Sequence, residues 1–137
     1  IELKGTPGIE TDKLLVVRID EKGNRSSLGG TYEDGKMSFS AREFGSYAVT
    51  ADTIPPKITP AKNSSLRFYI SDNLSGIDTY NGYVDGEWAL FEYDAKSRLL
   101  YYTPDKSRIK SGKQHKLLLE VTDKRGNKAT HTGTFTY

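Results

Sequence analysis

Four loop residues carry the oxygen donors that a hard cation prefers. Asp72 and Asn73 stand in Ser71-Asp72-Asn73-Leu74-Ser75-Gly76, and Asp123 and Asn127 in Asp123-Lys124-Arg125-Gly126-Asn127. Ca²⁺ takes six to eight oxygen ligands of this kind, and in an antiparallel sandwich both loops would emerge at one end. Asp and Asn are also the ordinary turn formers, because their side chains bond local backbone and tolerate left-handed conformations. Lys124 and Arg125 place positive charge beside the cluster. Turn chemistry therefore accounts for these residues, and neither a metal nor a cofactor is expected.

A second constellation is aromatic. Seven of the nine tyrosines and the only tryptophan, Trp88, follow residue 52. If Tyr80, Tyr83, Trp88 and Tyr102 faced outward from neighbouring strands, they would form a flat platform on which sugar rings stack. The competing role is completion of a small core, where each ring buries a large area. Between residues 105 and 116, Lys106, Arg108, Lys110, Lys113 and Lys116 stand against the single carboxylate Asp105. Such a stretch attracts anionic polymers over long range, but it has no aromatic residue to stack a base and reads as a solvated connection. Asp78, Asp85, Glu87 and Glu92 supply carboxylates for a glycosidase pair. That chemistry needs two carboxyl groups about 5 to 9.5 Å apart with divergent pKa values, and on strands and hairpins these residues read as the wet face of a sheet. No catalytic residue is expected, and the chain is not expected to be an enzyme by itself.

Composition narrows the field further. The 137 residues include no cysteine, two histidines, 20 Lys+Arg and 18 Asp+Glu, for a net charge of +2. This excludes a disulfide framework, a Cys-ligated metal and a three-His site. It also lacks the strong basic field of a dedicated nucleic-acid binder. No apolar run approaches the roughly 18 to 20 residues of a membrane-spanning helix, so neither nucleic acid nor membrane insertion is expected. The opening Ile1-Glu2-Leu3-Lys4 reads as strand, without initiator Met or signal peptide, and suggests an excised or processed fragment.

The elements that position these residues read as β. Tyr, Phe, Thr, Val and Gly are abundant, and helix-spaced apolar stripes are hard to find. Three of the five prolines fall in Pro55-Pro56-Lys57-Ile58-Thr59-Pro60, favouring extended chain and marking a boundary between units at 1–51 and 52–137. Before it, residues 13–20, 27–33, 36–42 and 46–51 read as a meander with an Asp34-Gly35 hairpin turn. Its 50 or so residues make a thin core. After it, about seven strands follow, with a second Asp-Gly turn at Asp85-Gly86 between 77–84 and 87–93. Residues 116–122 and 128–137 alternate apolar and polar positions. This is the count of an immunoglobulin-like or fibronectin-type sandwich, so the fold class is all-β with two consecutive β-sandwich-like units.

Three segments carry a closer resemblance. They are Glu43-Phe44-Gly45-Ser46-Tyr47-Ala48-Val49 running into the proline-rich lead-in, Ile70-Ser71-Asp72-Asn73-Leu74-Ser75-Gly76-Ile77, and Val121-Thr122-Asp123-Lys124-Arg125-Gly126-Asn127. Together they resemble the tandem bacterial immunoglobulin-like C-terminal region of lysostaphin-type zinc metallopeptidases of Bacteroidetes. That family's peptidase domain carries zinc ligands in His-x-x-x-Asp and His-x-His patterns. Here Leu119 stands four residues after His115 and Gly133 two after His131, so no zinc ligand carries over. The resemblance implies a noncatalytic accessory region of an exported, extracytoplasmic protein, a cell-wall peptidase. It would act as spacer or docking module for an N-terminal catalytic domain absent from the sequence, and peptidoglycan or surface glycan is the other expected partner. The alternative is a carbohydrate-binding module using the aromatic face.

Overall fold

The computed structural model describes residues 10–42 and 45–137. The leading strand expected at residues 1–4, and Glu43 and Phe44 of the first familiar segment, lie outside the described residues. Within them the protein is all-β. Apart from a 3-10 turn at Thr11–Lys13, every regular element is a strand.

The first unit is built on β1 (Leu14–Ile19), which pairs antiparallel with β2 (Arg25–Gly29) and β5 (Ser46–Ala51) in the order β2-β1-β5. A continuous apolar run suits a strand covered on both faces. Leu14 and Val16 join Met37 in a small core with Leu28, Tyr32, Phe39, Tyr47, Val49 and Ala51 packed around it. Leu15 and Val17, on the opposite face of β1, are fully buried too. A hairpin of β3 (Thr31–Glu33) and β4 (Lys36–Ser38) turns at Asp34-Gly35, with positive φ at both residues. The single strand expected over 27–33 is instead divided at Gly29 and Gly30, with φ of 67° and 108°. Close packing demands the second glycine, because a Cβ there would lie 2.9 Å from the Ser38 carbonyl oxygen.

The second unit is a sandwich of two antiparallel four-stranded sheets. One contains β6 (Lys57–Pro60), β7 (Arg67–Ser71), β10 (Phe91–Asp94) and β11 (Leu99–Tyr102), in the order β10-β11-β7-β6. The other contains β8 (Ile77–Val84), β9 (Glu87–Ala89), β12 (His115–Asp123) and β13 (Lys128–Phe135), in the order β13-β12-β8-β9. The sandwich thus has eight strands rather than seven. The difference arises at Leu90, where the segment expected as one strand over 87–93 leaves one sheet and enters the other. Leu90 is 63% exposed, while Ala89 and Phe91 on either side are buried.

Between the sheets lie Phe68, Ile70, Leu100, Leu117, Leu119, Val121 and Phe135. Strand alternation sends every second side chain of β12 into this layer and leaves Thr130, Thr132 and Thr134 of β13 on the outer face. Gly82 on β8 makes room for the Phe91 ring, which a Cβ at that position would strike.

Candidate functional site

The two units meet where three loops converge. Asp52 follows β5, Asp72 follows β7, and Asp123 closes β12. One carboxylate oxygen from each lies within 4.8 Å of those of the other two. Asp52 and Asp123 are 1% and 0% exposed. Among the described residues, no lysine, arginine or histidine forms an ion pair with any of the three.

Each carboxylate is held by backbone. Asp52 accepts from the amides of Ile54 (3.2 Å) and Ser75 (2.9 Å). Asp72 Oδ2 accepts from the amides of Leu74 and Gly76 and the Ser75 hydroxyl. Asp123 Oδ1 accepts from the amides of Arg125 and Asn127, and its Oδ2 from the Asn127 side-chain amide. Asp72 Oδ1 is buried and accepts no hydrogen bond.

Three negative charges at this spacing, two of them buried, cannot all persist without compensation. Burial pushes the Asp72 carboxyl above the ordinary range, and the charges of Asp52 and Asp123 push it further. Burial opposes the charge of Asp52 as well, but hydrogen bonds from Ser75, Ile54 and Asp72 outweigh it and hold its pKa low. Of these two, Asp72 is therefore the one that keeps its proton to the higher pH, with Asp52 as its neighbouring acceptor. In chemical terms the triad can hold either that proton or a hard cation, to which it would contribute three of the six to eight oxygens Ca²⁺ takes.

The same loops tie the units together. The Asn127 side-chain amide donates to the Asp52 carbonyl at 2.7 Å. Arg125 Nη2 donates to the Gly30 carbonyl at 2.9 Å, and Lys13 Nζ donates to the Arg125 carbonyl at 2.8 Å.

Of the loop cluster expected from sequence, the fold brings together Asp72, Asp123 and Asn127. Asn73 is exposed and does not join them, because Asp72 is the residue whose carboxylate turns inward to cap the loop. Asp52 is the member that sequence reasoning missed. It opens the proline-rich lead-in, and nothing in a linker aspartate signals burial against a loop 20 residues away.

The four-ring platform does not form. Strand alternation puts Tyr80 and Tyr102 on inner faces, where Tyr80 packs on Tyr93 at 5.5 Å and Tyr102 stacks on Phe91 at 5.3 Å. Tyr102 is only 8% exposed. Tyr83 and Trp88 remain outside as a direct cross-strand pair of β8 and β9, with Trp88 52% exposed.

Among the carboxylates considered for catalysis, Asp85 is a structural acceptor. It takes hydrogen bonds from the His115 ring (2.7 Å) and the Lys116 amide (2.8 Å). Glu92 accepts from the Tyr101 hydroxyl at 2.7 Å, and Asp78 and Glu87 are exposed. In the basic stretch, Lys106, Arg108, Lys110, Lys113 and Lys116 are all exposed, and Arg108 faces Asp105 at 3.7 Å.

Compared with known proteins, residues 1–52 match the Zu5-like domain family. The match spans fewer than half of the 137 residues. No curated protein matches the chain.

Proposed function

We propose that this chain is a noncatalytic accessory region of an exported bacterial protein, a rigid spacer that sets the place of a catalytic domain on the cell wall. The junction carries this reading. Arg125 and Lys13 bridge the units through hydrogen bonds of 2.9 and 2.8 Å, and Asn127 holds the Asp52 carbonyl at their boundary at 2.7 Å, around a turn that Asp123 organises from within. Units joined by a flexible tether need no such contacts. The second unit reads as immunoglobulin-like on strand order: one sheet follows the A-B-E-D arrangement and the other the C-F-G arrangement with one added edge strand. The parent's class, a cell-wall peptidase working outside the cytoplasm, rests on the resemblance of the three quoted segments.

The test is deletion of this region from the protein that carries it. Cleavage of short soluble wall peptides is expected to continue at its normal rate, while cleavage of intact insoluble peptidoglycan falls several-fold. Equal loss on both substrates, or no loss on either, would overturn the accessory role.

A further inference from the structure

We propose that the groove between the β9–β10 crossing and the loop that follows β11 binds saccharide, and that it takes sugars that are uncharged or carry amines. The groove has a volume of about 470 Å³, inside the roughly 300 to 1,000 Å³ range of small-molecule sites. The large apolar side chains that it leaves open are Trp88 and Leu90, the one 52% and the other 63% exposed. Two large apolar side chains two residues apart are left open where the chain lines the groove. An aromatic face offers the C–H side of a pyranose ring a packing surface that water does not.

The rest of the lining is polar in the way sugar hydroxyls require. Glu87, Glu92, Asp105 and Arg108 all border the groove, giving paired acceptors and a forked donor around the apolar floor. Several of these groups are already held in place. The Tyr101 hydroxyl binds Glu92 at 2.7 Å, Ser107 binds Asp105 through its amide and hydroxyl, and Trp88 Nε1 donates to Asn81 Oδ1 at 3.4 Å. Fixed side chains lose less freedom when a ligand arrives.

Charge selects among glycans. The lining carries three carboxylates, Glu87, Glu92 and Asp105, against the single guanidinium of Arg108, so at contact distance it disfavours uronic acids and favours neutral or cationic rings. The lysines of the same loop stand outside the lining and act at longer range. This groove stands apart from the junction on which the spacer role rests, so each can fail without the other.

The experiment titrates the 137-residue chain with oligomers of N-acetylglucosamine, glucosamine and galacturonic acid. Calorimetry gives the affinity, and fluorescence reports on Trp88, the only tryptophan. The first two oligomers are expected to bind and shift the emission, and the third to do neither. Trp88→Ala should weaken binding about tenfold or more. Tyr69→Ala, which removes a ring 50% exposed on the other sheet, should leave affinity unchanged and controls for nonspecific stacking. Replacing Glu87 and Glu92 by Gln should cost the glucosamine oligomer more than the N-acetylated one. The proposal is overturned by no binding at about 10 mM sugar, by binding that survives Trp88→Ala, or by galacturonate binding as tightly as the others.

Discussion

Asp72 Oδ1 is buried without a hydrogen-bond donor, beside two carboxylates that are themselves almost fully enclosed. Asparagine at this position would keep an acceptor for the amides of Leu74 and Gly76. It would also put an N–H donor where the orphaned oxygen stands and hold that position neutral without the proton that Asp72 must otherwise keep. Relief of an unsatisfied group is worth about 1 kcal/mol. Asp72→Asn is therefore expected to be more stable than the natural chain by about that amount at pH 7, measured by urea unfolding in the presence of a chelator. A less stable variant would mean that the Asp72 charge is compensated by something other than a proton. Repeating the comparison in millimolar Ca²⁺ separates the two cases, because a bound ion would reverse the order of the variants and a proton would not.

His115 works at the scale of an element. Its ring is buried at the start of β12, with Nδ1 2.7 Å from Asp85 Oδ2 and Nε2 2.7 Å from the Lys110 carbonyl. Both partners only accept, so the imidazolium alone can donate to both. The hydrogen bond to Asp85 raises the His115 pKa most, the Lys110 carbonyl raises it further, and burial and the nearby Lys113 charge work against them. The stabilisation is fully present below the unfolded value of about 6.5 and is lost as pH rises through the higher folded value. The Asp85 carboxyl is held low, chiefly by His115, so its share is lost only when pH falls through that depressed value. Unfolding measured between pH 5 and 9 should show stability declining above pH 6.5, with faster amide exchange in residues 105–114. Asp85→Asn, which keeps a residue suited to the positive φ of 53°, should flatten that decline. A natural chain equally stable across the range would refute the coupling.

The same hairpin illustrates what a sequence reader can and cannot see. Asp85-Gly86 announces its turn because few residue pairs accept positive φ twice, and β12 announces its buried face because Leu117, Leu119 and Val121 alternate. Leu90 announces nothing. Trp88-Ala89-Leu90-Phe91 is a continuous apolar run with no Gly or Pro to mark a break, so a strand that changes sheets reads like one that does not. Asp52 and His115 are equally silent, since their burial depends on loops distant in sequence.

At the scale of the whole molecule, two cores of unequal size share one joint. Among the described residues, the first unit buries Leu14, Leu15, Val16, Val17 and Met37, whereas the second buries eleven hydrophobic residues in one cluster. A smaller core gives a smaller margin over chain entropy, and Lys13 and Gly30 tie the first unit to its neighbour. The bonds at the joint are few, but they start from two separate stretches of the first unit, at Lys13 and Gly30, and from Asp52 at the boundary, and converge on a single turn, 123–127. Bonds from separate stretches to one turn restrain the units more than a flexible tether would. Nitrogen-15 relaxation should therefore give both units one common correlation time, with β1 amides reporting on the first and β12 amides on the second. Arg125→Ala combined with Asn127→Ala removes two of the three bridges while leaving both cores intact. The pair should split the correlation times and lower exchange protection in β1 while leaving β12 protected. Two independent times in the natural chain would mean that these bonds form and break freely, and the spacer reading would fall with them.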